Sequence, residues 1–206
     1  MELTNPYEIE QRCYDAGYTA VCGVDEAGAG PLAGPVYAAA VILPHGLVIE
    51  GLNDSKKLSE KKREKLFDVI CENAVAYAIA TASEQEIDEI NILAARMLAM
   101  DRAIKALSVK ADFALVDGNR SAGIDCPNET VVGGDAKSAS IAAASILAKV
   151  SRDRYVTEVL DKEYPEYAFA KHKGYGTKLH IEKLDQFGPC PAHRKTFLKK
   201  WEAKRK

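Results

Sequence analysis

No run of apolar residues in the chain approaches the roughly 20 that a bilayer-spanning helix needs. The N-terminus, MELTNPYEIEQRC, carries acids where a secretory leader needs a basic and then an apolar stretch. These two absences argue against a membrane protein and make a cytoplasmic location the expectation. C-x-x-C pairs are also missing: Cys13, Cys22, Cys71, Cys126 and Cys190 are odd in number and scattered, so reduced thiols are expected rather than a disulfide framework. His172, His180, Cys190 and His193 offer zinc-ligand chemistry, but their spacing fits no zinc pattern. Repeats, low-complexity tracts and Pro/Ser-rich linkers are absent as well. With 206 residues, this predicts one continuous domain over residues 1–206, with a core at about 18–165 and a helical C-terminal segment at about 166–206. Finally, there is no excess of either charge. The formal net charge of −2 argues against indiscriminate nucleic-acid binding, although Lys56-Lys57, Lys61-Lys62-Arg63, Lys171 to Lys173 and Arg194 to Lys206 are locally basic. Such runs are commonly solvated faces and point only weakly to a nucleic-acid partner.

What is present reads as alternating short apolar runs and helical patterns. Residues 19–25 (TAVCGVD) and 35–43 (PVYAAAVIL) are strand-like and are separated by AGAGPLAG; Pro44-His45-Gly46 ends the second. Ser59 predicts a helix start for SEKKREKLFDVICENA, with Leu66, Val69 and Ile70 as its apolar stripe. After the strand-like VAYAIATAS, Ser83 introduces one long helical pattern, residues 84–107, with acids early and Arg102 and Lys105 late, as the helix dipole favours. FALVDGN and ETVVGGD read as further strands. Asp135 then opens a helix whose first half is apolar on nearly every face and therefore buried. The tail looks helical twice more. The order predicts an α/β fold, with a mixed central sheet flanked by helices and a small C-terminal helical appendage.

Acidic residues close three of these runs: Asp25-Glu26, Asp117 and Asp135. A carboxylate next to an apolar strand is costly to desolvate unless a cation or partner compensates it, so several converging acids point to a bound metal. Mg²⁺ and Mn²⁺ prefer oxygen ligands, and two such ions roughly 4 Å apart stabilise both the attacking and the leaving oxygen of phosphodiester hydrolysis, with water as nucleophile. The alternative stays open, since Asp-Gly and Gly-Asp also close ordinary turns. Strand alternation, moreover, sends Asp25 and Glu26 to opposite faces. GAGPLAGP does not read as a dinucleotide or ATP loop: Pro31 and Pro35 interrupt the place where a helix would start, and no G-K-[ST] follows. Its glycines allow either a tight hairpin or a backbone that approaches a sugar or phosphate closely and donates amide hydrogen bonds.

Together GVDEAGAGPLAGPV, NDSKKLS, LVDGN, GGDAKSASIAAASILAKVSRD, HKGYGTKLH and GPCPAHRKTF resemble, in order and over residues 18–197, the signatures of bacterial type 2 ribonuclease H, the ribonuclease HII family. The resemblance implies a ribonuclease H-like fold and a four-carboxylate site at Asp25, Glu26, Asp117 and Asp135 that holds two Mg²⁺ or Mn²⁺ ions. By that likeness, Asp25 bridges the ions, Asp135 helps hold the one that activates water, and Glu26 and Asp117 support the leaving-group ion. Gly28, Ala29 and Gly30 would read a ribose 2′-hydroxyl through the backbone. Tyr175 would pack on the sugar at the DNA side of an RNA–DNA junction, and Ser55 and Lys56 would lie near the substrate, where Lys56 neutralises a phosphate. Ser138, Lys149, Arg152 and Asp153 match family positions too, but on a helix they are expected to serve packing and surface pairing.

The implied partner is an RNA–DNA hybrid or a DNA duplex containing ribonucleotides, bound by a monomer. Cleavage 5′ to the ribonucleotide would serve primer removal and ribonucleotide removal from DNA. Ala29 departs from the Gly-Arg-Gly usual in the family, removing a phosphate contact of about 1–3 kcal/mol, and Cys190 stands where serine is common. Type 3 relatives carry an N-terminal substrate-binding domain that the roughly 17 residues before the first strand would not accommodate, so type 2 is expected. Two other readings remain: a junction resolvase with a similar acidic site but no need for Tyr175, and a hybrid-binding module without catalysis, against which the intact acids argue.

Overall fold

The structure, a computed structural model, describes residues 7–203. The first six residues and the last three of the basic tail lie outside that range. Its centre is a five-stranded sheet of order β3-β2-β1-β4-β5. β1 (Val21–Ala27), β2 (Val36–Ile42) and β3 (Ala76–Ala82) form an antiparallel meander; β4 (Phe113–Asp117) and β5 (Asn128–Val131) extend it in parallel from β1. All five predicted strands are present.

Strand alternation sorts the two faces. Cys22, Val24, Ala114 and Val116 pack with α3 (Glu84–Lys105) on one side, while Ala39 and Val41 pack with α2 (Glu60–Asn73) and α4 (Ala139–Tyr155) on the other. The buried, alanine-rich start of α4 comes so close to β1 that a Cβ at Gly23 would lie 2.1 Å from the Ser140 carbonyl carbon. Only glycine fits there without separating helix from sheet. The start of α4 is pinned from an element the sequence reading did not foresee, α1 (Glu8–Asp15). Buried Glu10 Oε1 accepts hydrogen bonds from Ser138 Oγ at 2.6 Å, Ser140 N at 3.0 Å and Ser140 Oγ at 2.6 Å.

Several details differ from expectation for local reasons. The long helix α3 is broken at Asn91, whose φ of 68° is non-helical. Its side chain accepts from Leu93 N and Ala94 N and so restarts the helix as an internal cap. α4 begins after Ser138, which accepts from Ile141 N, and Asp135 sits instead in the 3-10 turn Gly134–Ala136. Val69 faces solvent, leaving Leu66 and Ile70 as the buried positions of α2.

α4 continues through a π turn, Val156–Leu160, into α5 (Asp161–Glu163). Then α6 (Phe169–His172), α7 (Lys178–Phe187) and α8 (Lys195–Ala203) form the tail, three helices where the pattern suggested two. Their apolar cluster includes Tyr167, Phe169, Leu184 and Leu198 and reaches back to Ala33, tying the tail to the glycine-rich loop between β1 and β2. The five cysteines are free, and among the described residues no helix is long and apolar enough to cross a membrane.

Candidate active site

The parallel register of β1 and β4 brings the first two acids together. Val24 pairs with Val116, so the next residues, Asp25 and Asp117, close adjoining strand ends on the same face. This is the carboxyl edge of the parallel strands, where open α/β sheets commonly bind ligands. β5 adds the third: Val131 pairs with Asp117, and the turn beyond it carries buried Asp135, while Gly134 N donates to Asp117 Oδ1 at 2.8 Å. Glu26, on the opposite face of β1 as alternation requires, meets Arg96 of α3, with Arg96 Nη2 2.5 Å from its Oε1. Its other oxygen, Oε2, is buried and lacks a hydrogen-bond partner.

This cluster is short of positive charge. Burial, followed by the charges of Glu26 and Asp117, pushes Asp25 well above the usual carboxylate range, against the hydrogen bond from Glu26 N at 2.7 Å and help from Ser145. Burial also raises Glu26, with Arg96 opposing and Asp117 reinforcing the shift. Asp135 is raised by burial and by Asp54 and Asp117, opposed by Lys56. Lys56 Nζ lies 3.6 Å from Asp135 Oδ2. Burial works against the lysine's charge, but Asp135, Asp25, Asp54 and Asp117 together hold it above its ordinary pKa.

Among the described residues no three His, Cys, Asp or Glu side chains already enclose a common cation-sized point. The acids therefore share a neighbourhood rather than a formed coordination shell. An all-oxygen donor set with raised pKa values and an orphaned buried oxygen nevertheless fits a hard divalent cation.

The remaining candidates fall into two places. Ser55 is buried and its Oγ lies 2.7 Å from Ser145 Oγ, so it braces the Asp25 side of the cluster, while the Lys56 side chain is 77% exposed. Gly28, Ala29 and Gly30 follow Glu26 after one residue, Ala27, and a Cβ at Gly30 would lie 3.7 Å from Tyr175 Cε1. The glycine loop and the half-exposed tyrosine thus form one surface. Leu32 N donates to Gly174 O at 2.8 Å and clamps the two segments together. Gly28 is obligatory, with a φ of +94° and with Arg152 Nε 2.1 Å from where its Cβ would stand.

Arg152 departs from the expectation of surface pairing. It is fully buried and donates to the carbonyls of Pro35, Ala33 and Lys173 at 3.3, 3.2 and 3.1 Å. Lys149 and Asp153 do pair as expected, at 2.7 Å, and Ser138 caps α4. His172, His180, Cys190 and His193 are gathered behind Tyr175 as a hydrogen-bonded cluster. Cys190 N donates to His193 Nδ1 at 3.0 Å, His180 Nε2 lies 3.0 Å from His193 Nε2, and His180 Nδ1 lies 2.9 Å from Tyr175 O. Burial depresses His180 and His193 to about 4, so both are neutral at neutral pH.

Sequence reasoning missed Arg96, Asp54 and Arg194. Asp54 and Arg194 each lie in a quoted segment, NDSKKLS and GPCPAHRKTF, whereas Arg96 lies in none, and the two arginines act on residues 70 and more than 160 positions away.

In sequence and in fold the chain is similar to known proteins. The family model described as Ribonuclease HII matches residues 22–203. A ribonuclease HII of Caldicellulosiruptor bescii is 54% identical over 198 residues, covering 96% of each chain. Among solved structures, ribonuclease H2 from Pyrococcus horikoshii superposes with a TM-score of 0.72 at 29% identity, over 90% of this chain and 98% of that one. Bst-RNase HIII, solved in complex with Mn²⁺, shares the fold at a TM-score of 0.62 and 17% identity, over 85% of this chain and 65% of that one. A mixed sheet whose carboxyl edge gathers acids, and a family match that runs through nearly every element described, make this chain a member of the ribonuclease HII family, a nuclease of the ribonuclease H-like fold.

Proposed function

We propose that the chain is a metal-dependent endoribonuclease that hydrolyses the phosphodiester 5′ to ribonucleotides, both in RNA–DNA hybrids and at single ribonucleotides embedded in duplex DNA, leaving 5′-phosphate and 3′-hydroxyl ends. The observation that carries the reading is the register that sets Asp25 beside Asp117 at the edge where Glu26 keeps an unpartnered buried oxygen. Asp25, Glu26, Asp117 and Asp135 would hold two Mg²⁺ or Mn²⁺ ions, which when bound supply an activated water and stabilise the leaving oxygen.

The chain's own groups do the rest. Arg96 fixes one oxygen of Glu26 and leaves the other free. Ser55 and Ser145 brace Asp25. Lys56, exposed beside Asp135, meets a backbone phosphate. Amides of the Gly28–Gly30 loop bond the 2′-hydroxyl that distinguishes RNA from DNA, and Tyr175, packed against Gly30, provides the platform for the neighbouring sugar.

The proposal extends to a monomeric cytoplasmic enzyme, in keeping with five unpaired cysteines, acting in primer removal and in clearing ribonucleotides from DNA. Mapping the cut on a duplex carrying one ribonucleotide, with and without divalent ion, tests it. The expected result is a single ion-dependent cut 5′ to that nucleotide. Cleavage of a four-way DNA junction with the ribonucleotide duplex left intact would replace it with a resolvase reading.

A further inference from the structure

Beneath the glycine-rich loop lies a guanidinium that the chemistry above does not use. Arg194 is fully buried, and every nitrogen of its fork bonds to a carbonyl of that loop: Nη2 to Gly28 O at 2.6 Å, Nη1 to Ala29 O at 3.0 Å, and Nε and Nη2 to Gly34 O at 2.9 and 2.7 Å. Its own amide donates to Leu32 O at 2.9 Å. A buried arginine carries a large desolvation cost, and an apolar side chain would fill the space more cheaply. What the planar fork supplies, and an apolar group cannot, is direction.

A trans peptide is planar, with its C=O and N–H pointing in opposite senses. With the Gly28 carbonyl drawn inward to Arg194, the amide of Ala29 must point away from the core; with the Ala29 carbonyl drawn inward, so must the amide of Gly30. The third carbonyl, that of Gly34, precedes Pro35, which has no N–H to direct. Away from Arg194 means toward solvent, because Ala29 is half-buried and Gly30 exposed, on a loop whose Gly30 has Tyr175 as a neighbour.

We propose that Arg194 is the positioning residue for ribose recognition: by holding two successive carbonyls inward it aims the amides of Ala29 and Gly30 at the site of the 2′-hydroxyl. The inference rests on the reading of this loop as the ribose sensor. It also accounts for how the loop keeps its shape with alanine at position 29, since the side chain there takes no part in the bonds that orient the backbone.

The test compares binding of two duplexes, one all-DNA and one with a single ribonucleotide, by fluorescence anisotropy at low salt without divalent ion, so that neither is cut. Wild type is expected to favour the ribonucleotide duplex. Arg194→Lys keeps the charge but replaces the fork with a compact ammonium, and is expected to lower that preference roughly three- to tenfold, the loss of one or two hydrogen bonds, while binding all-DNA as wild type does. A folded Arg194→Lys, judged by near-ultraviolet circular dichroism, with undiminished preference overturns the inference and leaves the proposed function standing. A wild type that binds both duplexes equally overturns the reading of the loop and the inference with it.

A measurement on wild type alone guards against a variant that does not fold. The Ala29 and Gly30 amides should exchange hydrogen rapidly in the free protein and be slowed more by the ribonucleotide duplex than by all-DNA. Slow exchange of both in the free protein places them inward and overturns the inference.

Discussion

At the sheet edge, Asp25, Glu26 and Asp135 are each raised above the ordinary carboxylate pKa by burial and by their acidic neighbours. At the adjoining loop the buried charges are cations, Arg152 and Arg194, and their donors are taken up by carbonyls. The first region gathers more carboxylates than Lys56 and Arg96 can pair, which suits it to the divalent ions of the proposed function. The second is internally satisfied: its geometry is set before any ligand arrives. On the proposed function, chemistry at the edge and recognition at the loop are separable, and substitutions should damage one without the other.

The largest separation is expected from Asp25→Asn. Its turnover should fall by more than the roughly 100-fold typical of changes outside the coordinating groups, while duplex binding stays within about threefold. Millimolar Mg²⁺ or Mn²⁺ should raise the melting temperature of wild type, by about 2.7 kcal/mol of stability at 100 times the dissociation constant, and leave the variant unmoved. In chelator the variant should melt no lower than wild type, because a buried charge has been removed. Cleavage by Asp25→Asn at the wild-type rate would end the metal-site model.

Tyr175→Ala probes the other region. Losing the ring's apolar contact with the sugar should cost on the order of 1 kcal/mol, so KM for a single embedded ribonucleotide should rise roughly fivefold. The metal-induced thermal shift should be preserved. If the tyrosine variant lost that shift as well, the two regions would not be independent.

The sequence makes the acidic region legible and the glycine-rich loop with its buried arginines only in part. Asp25, Asp117 and Asp135 announce themselves because each ends an apolar run, and parallel pairing of such runs brings their ends together. Ser59 and Ser83 are readable as caps since their partners lie three residues away. Arg152 and Arg194 lie in family-like segments, but nothing local gives their roles: a guanidinium on a polar-looking segment reads as surface, and most of the carbonyls that hold these two are 117 to 166 positions distant. The same holds for Glu10, which bonds to Ser138 and Ser140 across the chain. The break at Asn91 did have a local cause, a side chain able to cap the next turn, but helix periodicity runs through it unaltered.

The imidazole cluster behind Tyr175 makes the comparison pH-dependent. His180 and His193, at about 4 in the folded protein against an ordinary 6.5, refuse protons that the unfolded chain accepts between those values. Stability is therefore full above about 6.5 and is lost as pH falls toward 4. The raised carboxylates act with the opposite sign, destabilising the metal-free fold as pH rises above their unfolded range. Calorimetry of wild type against His193→Gln isolates the imidazoles: wild type should lose several degrees more between pH 6.5 and 4.5, at roughly 2–4 °C per kcal/mol. Parallel curves for the two proteins would show that the cluster does not couple to folding in this way.

The smallest effect is expected at position 29, where recognition geometry and recognition charge come apart. Ala29 is half-buried and its carbonyl is already held by Arg194, so Ala29→Arg should leave the cleavage position and kcat unchanged. What it adds is one cation facing the phosphate backbone. The logarithm of affinity plotted against the logarithm of salt concentration should steepen by about 0.9, one neutralised phosphate, with binding a few-fold tighter at low salt and the gain fading as salt rises. A steeper slope with the ribonucleotide preference unaltered would confirm that the loop reads sugar through its backbone and touches phosphate only through whatever side chain it carries. A slope identical to wild type would mean that position 29 does not face the backbone of the bound duplex.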